Sequence, residues 1–156
     1  MSKFHKKTET IWIVLSLLLL FMGGLIYLKF RPHSLVMFSW LRKLRLESCF
    51  QTASFNTESK IQSFCVYSLP NGLWSLSAII FFGLIWKGAK RLFLLYSVTF
   101  SLGNIVFEFL QLFRVIPGTF DMDDVIVLLV SLVVGIFMYE FCISTSWNIK
   151  NTHPSV

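Results

Sequence analysis

Charge is scarce in this sequence, and acidic charge above all. Asp and Glu together number 8 against 14 Lys and Arg, and charged residues make up 14% of the 156 positions. A soluble domain carries about 25%, so this chain lacks the side chains to coat a water-facing surface. Cysteine is nearly absent too. Cys49, Cys65 and Cys142 show no Cys-x-x-Cys spacing, which gives no support to a zinc site. Histidine occurs only at His5, His33 and His153, outside the apolar blocks, so a histidine base within them is excluded. No serine sits in a Gly-x-Ser-x-Gly nucleophile elbow. Internal repeats and low-complexity tracts are missing as well. The net charge is +6, but the cations sit at the ends of apolar blocks. There they read as topology signals and phospholipid contacts rather than as a nucleic-acid surface.

Apolar sequence is abundant: 55% of the residues are hydrophobic and 17 are Phe. The fold class that follows is all-α, a polytopic membrane helix bundle in one domain over residues 1–156. Residues 11–28, IWIVLSLLLLFMGGLIYL, reach about 27 Å as a helix, close to the hydrocarbon thickness. The run exceeds a signal-peptide core and no Ala-x-Ala-like site follows, so it reads as a retained span. Three more spans are expected at about 69–86, 92–116 and 125–143. Pro70 suits a first helical turn, and Pro117-Gly118 stops the third span.

Residues 34–46, SLVMFSWLRKLRL, mix large apolar side chains with three cations and suit an interfacial helix in the first loop. Cys49 and Cys65 share that loop and are able to pair if it faces an oxidising compartment. Cys142, inside an apolar block, reads as an inert small hydrophobe. Most of the tryptophans stand near span ends, the ordinary position of interfacial anchors. The short loops place the N-terminus, Lys87, Lys90, Arg91 and Lys150 on the cytoplasmic side of an inner membrane, with the acidic GTFDMDD turn outside.

The carboxylates concentrate in one stretch, FEFLQLFRVIPGTFDMDDVIVLLV, residues 107–130. On a helical projection Ser97, Ser101, Asn104, Glu108 and Gln111 fall within an arc of about 80° on an otherwise apolar helix. A carboxylate facing hydrocarbon costs at least about 2.5 kcal/mol, so Glu108 is expected to face protein or water. Asp121 and Asp124 stand three apart on one face of the next span, and Ser131 and Gly135 continue that face with small residues. Asp123 projects elsewhere, as a solvated turn charge. The tight connection brings Glu108, Gln111, Asp121 and Asp124 to one membrane rim, with Asn104 below. Asn71 and Trp74 from LPNGLW have the same sidedness.

At these residues the chain resembles the VanZ-like family of small bacterial membrane proteins. Glu108 and Gln111 match its Glu-x-x-Gln, Pro117-Gly118 its turn, Asp121 and Asp124 its paired aspartates, and Gly135 its last glycine. Leu128, Ser131 and Thr119 stand where the family tends to have Asn, Gly and Arg. Asn71, Gly72 and Ser75 occupy the family's Asp-Lys-x-x-His element. The likeness covers about residues 66–140. It implies an envelope-associated multispanning protein with a link to teicoplanin-type glycopeptide susceptibility, and supplies no established reaction.

Several readings of the cluster follow. The plainest is interhelical hydrogen bonding that fixes the bundle. The sharper one is an outer-face pocket for a lipid headgroup, a lipid-linked glycan or a membrane protein partner, with no cofactor and no nucleic acid. An enzymatic alternative gives Glu108 with Asp121 or Asp124 acid and base roles, or Mg²⁺ or Ca²⁺ ligation, on a lipid-linked phosphate. A transport element is a third reading, for which four spans leave little room.

Overall fold

The computed structural model describes residues 2–30, 43–45 and 59–144, with side chains from Glu9, Lys43 and Ser59 onward in the three stretches and up to Phe141. The expected interfacial helix lies outside the described residues except at 43–45, and Cys49 lies outside them too. Among the described residues every regular element is helical. In chain order they are α1 (Ser2–Phe30), α2 (Lys60–Tyr67), α3 (Leu69–Ile85), α4 (Lys90–Leu112) and α5 (Met122–Met138), followed by a π-helical turn, Tyr139–Ser144. Three stretches are long and apolar enough to cross a membrane: Glu9–Phe30, Lys90–Leu112 and Met122–Phe141. A fourth crossing comes only from α2 and α3 taken together as one span bent by 40°.

The bend has a local cause. Ser59 caps α2 by accepting from the Ile61 N–H at 3.3 Å. Ser68 then ends α2 and begins α3, and Pro70, with no amide hydrogen, occupies the first turn of α3. The sequence places a span at 69–86; α3 has those bounds, but it reaches the length of a crossing only together with α2, across a turn the sequence reading does not include.

α3 is the centre of the bundle, with α1, α4 and α5 packed around it. Polar and small side chains make these contacts close. Ser16 and Ser77 bind each other's helices reciprocally, Ser16 Oγ donating to the Ser77 carbonyl at 3.0 Å and Ser77 Oγ to the Ser16 carbonyl at 2.8 Å. The Trp74 indole donates to the Leu20 carbonyl at 3.1 Å and its ring lies over Gly23. On the far face of α3, Gly72 lies against Val127 and Ile79 against Gly135. Ser131 Oγ of α5 donates to the Gly72 carbonyl at 2.9 Å. Close backbone approach across small residues is how apolar helices associate where lipid offers no hydrophobic gain.

A buried core of Ile79, Phe93 and Tyr139 ties α3, α4 and the π turn together. Many of the other apolar side chains face outward, Leu17, Phe21, Phe107 and Val133 among them at 58%, 65%, 59% and 67% exposed. So many exposed large hydrophobics suit a hydrocarbon surrounding.

The helices alternate in direction, which sorts the polar groups into two rims. At one, Lys87 pairs with Glu9 at 2.6 Å and Lys90 with Glu140 at 2.5 Å. At the other lie the end of α1, the start of α3 and the turn joining α4 to α5, where the carboxylates gather.

Candidate functional site

The site is built by the turn between α4 and α5. The sequence expects a span to Ile116, but α4 stops at Leu112. The reversal is a Schellman motif: the Val115 N–H bonds the Leu110 carbonyl at 2.9 Å and the Arg114 N–H the Gln111 carbonyl at 2.9 Å. Arg114 occupies the left-handed position, φ 55°, that glycine usually takes. Pro117 forbids Ile116 a helical backbone, so the helix has to end before it. Phe109 and Phe120, ring centroids 5.8 Å apart, bind the turn back to α4.

This short return delivers Asp121 beside Glu108. The Asp121 backbone N–H bonds the Glu108 carboxylate, and the Asp124 carboxylate faces the same group closely enough for the charges to repel. Glu108 and Asp124 are both buried, at 9% and 8% exposure. Their convergence across α4 and α5 is as expected. Asp121 is different. Its backbone is extended, φ −132° and ψ 125°, and its side chain caps α5 by accepting from the Asp123 N–H at 2.9 Å. It joins the site through its backbone N–H and through its charge, which also acts on Glu108, while Asp123 is exposed.

The remaining candidates divide. Gln111 lies against the Cα of Gly118, whose φ of +146° and lack of a Cβ leave room for it. The Asn104 amide donates to the Phe100 carbonyl of its own helix at 2.8 Å. Asn71 is half-buried and makes no hydrogen bond to the carboxylates among the described residues. Trp74 faces α1, where its indole hydrogen finds an acceptor in the Leu20 carbonyl. Cys65 is exposed and forms no disulfide among the described residues. The chain matches no family model, no curated protein and no solved structure.

Two participants escape the sequence reading. Ser68 is fully buried and its hydroxyl has no partner within the described protein. The α3–α5 contacts run parallel, Gly72 against Val127 and Ile79 against Gly135. One turn back along both helices, Ser68 stands at the level of Asp124. The signal was the helical spacing of Ser68, Gly72 and Ser75. Tyr139 closes the opposite end: its ring stacks on Phe93, centroids 3.9 Å apart, and its hydroxyl donates to the Trp86 and Lys87 carbonyls at 3.2 and 3.3 Å.

Chemically the rim offers acceptors. Glu108 Oε2 is buried without a partner, next to a second carboxylate. Among the described residues no three His, Cys, Asp or Glu side chains are placed to hold a metal ion.

Proposed function

We propose that this is a VanZ-like multispanning protein of the bacterial cytoplasmic membrane. In this reading it binds a lipid headgroup or lipid-linked glycan at an outer rim built on Glu108 and Asp124, and influences glycopeptide susceptibility. The observation that carries the reading is the buried, unpartnered Oε2 of Glu108 beside a second carboxylate. A buried acceptor without a donor costs about 1–3 kcal/mol. A ligand rich in donors, such as sugar hydroxyls or a primary ammonium, removes that cost. Bare phosphate would meet repulsion from the same carboxylates. The exposed Lys29 and Arg114 at this rim suit the phosphate of such a lipid, leaving the donors for Glu108. A membrane protein partner presenting Lys or Ser/Thr hydroxyls satisfies the same chemistry.

The test separates ligand binding from packing. Glu108→Gln and Asp124→Asn are expressed singly, and membrane accumulation, co-purified glycolipid by native mass spectrometry, and teicoplanin-type susceptibility are measured. Normal accumulation with loss of bound lipid and of the phenotype supports the reading. Reduced accumulation of both variants assigns the pair to packing. No change in any of the three removes the pair from function.

A further inference from the structure

Glu108 and Asp124 are set opposite each other by the register of their helices as well as by charge. At the far end Phe93 of α4 stacks on Tyr139, centroids 3.9 Å apart. The same number of residues separates Phe93 from Glu108 as separates Asp124 from Tyr139. At the near end Phe109 meets Phe120 across the turn. The two helices therefore run antiparallel with both carboxyl groups at one level, where the Asp124 charge acts on Glu108.

The surroundings of Glu108 offer no cation. α4 packs against α3 and α5. From Leu69 to Ile85, α3 carries no titratable side chain. α5 supplies Asp124 and Asp121, and these negative groups are the charges that act on Glu108. Arg114, in the turn, is exposed. Among the described residues the donor to the Glu108 carboxyl group is the Asp121 backbone N–H. Oε2 is closed to solvent and no donor of the described protein reaches it. An ionised carboxylate so placed has neither water nor a cation to replace its hydration, and groups in that position take up a proton instead. The packing around Oε2 has room for a proton and nothing larger. With it, the oxygen changes from an acceptor lacking a donor into an O–H donor, and the carboxylate across from it is an acceptor.

We propose that Glu108 holds a proton on Oε2 and directs it at the Asp124 carboxylate, and that this proton keeps the place of the ligand's donors while the rim is closed. The O–H then fastens α4 to α5 beside the turn. When a donor-bearing headgroup enters, the Oε2–H bond breaks, the proton passes to water outside the rim, and an N–H or O–H of the headgroup takes its position. Binding is thereby linked to pH: acid keeps the rim closed, and a rise in pH favours the headgroup. The exchange rests on the headgroup reading; the proton does not.

Infrared spectra of the protein in lipid vesicles, taken from acid to alkaline pH, test the proton. In neutral buffer a protonated-carboxyl band is expected that moves on isotope labelling of the glutamate carboxyl carbon and is absent from Glu108→Gln. Glu108→Asp, which also removes the labelled group, serves if Glu108→Gln fails to fold. In Asp124→Asn the band is expected at higher frequency, because the O–H has lost a charged acceptor. No Glu108-dependent band in neutral buffer overturns the proposal, and a band unmoved in Asp124→Asn overturns the pairing. The exchange is tested by native mass spectrometry of lipid retained by the native protein across the same pH series. Occupancy is expected to fall several-fold as the band grows, with one midpoint for both. Occupancy indifferent to pH while the band titrates overturns the exchange and leaves the headgroup reading standing. No retained lipid at any pH, with the band present, overturns the exchange and the headgroup reading together.

Discussion

At Gly118 the backbone takes φ +146°, a region closed to side-chain-bearing residues, and a Cβ built there would run into the Gln111 side chain. Gly118→Ala is therefore expected to destabilise the protein by about 1–3 kcal/mol, read from unfolding in mixed micelles. Arg114 presents the opposite case. It holds a left-handed φ of 55° at the Schellman position where glycine is usual. Arg114→Gly is expected to leave the turn intact and raise stability by up to about 1 kcal/mol, since the steric cost of the left-handed backbone disappears. A fall in stability in the same assay would mean that the guanidinium makes a contact worth more than that cost. At this scale much of the site was legible. An isolated carboxylate on an apolar helix, a Pro-Gly stop and an aspartate pair on the next helix all point to Glu108 meeting Asp124. Asp121 reaches the same rim and caps α5 as well, because an aspartate before an apolar run is also the best N-cap available. Asn104 and Trp74 each found a backbone carbonyl within reach, one on its own helix and one on α1, partners that hydropathy does not foretell.

The helices themselves were legible as apolar blocks, but their ends and partners were decided by small polar residues that hydropathy does not weigh. α3 illustrates this. One face carries Ser68, Gly72 and Ser75 towards α5, and another carries Trp74 and Ser77 towards α1. Both look like ordinary weak spots in a greasy run. The reciprocal Ser16–Ser77 pair is expected to show a coupling energy of about 0.6 kcal/mol in a double-mutant cycle of Ser16→Ala and Ser77→Ala. Additive single effects would mean that each serine acts alone. Gly72→Ala tests the other face. A methyl group there would collide with Val127, and overpacking of a close seam costs about 1–3 kcal/mol. The same shift moves α5 relative to α3, so the variant is expected also to disturb the Glu108–Asp124 approach. It should lose bound headgroup in parallel with stability, whereas Ser77→Ala should lose stability alone.

For the whole molecule, the rims carry the argument. The two ion pairs, Glu9–Lys87 and Glu140–Lys90, bring the beginning of α1, the α3–α4 turn and the end of α5 to one side. The acidic turn and both ends of the Glu108–Asp124 approach lie on the other. That sorting requires α3 to return fully alongside α1, which it does through Ser77 and Trp74, although α3 alone is shorter than the helices that qualify as spans on length and hydropathy. On the positive-inside rule we propose that the basic rim faces the cytoplasm, since Lys87, Lys90 and Arg91 lie in or beside a short connection. Met122 and Lys90 are both exposed and stand at opposite ends of the bundle. In a background with the native cysteines replaced, Met122→Cys in intact cells is expected to react with a membrane-impermeant maleimide. Lys90→Cys should react only after the membrane is opened. Labelling of both in intact cells would break the assignment of the rims, and the reverse pattern would turn the carboxylate rim towards the cytoplasm. A site facing that way meets no extracytoplasmic glycan, so this one experiment also decides whether the proposed ligand is within reach of Glu108.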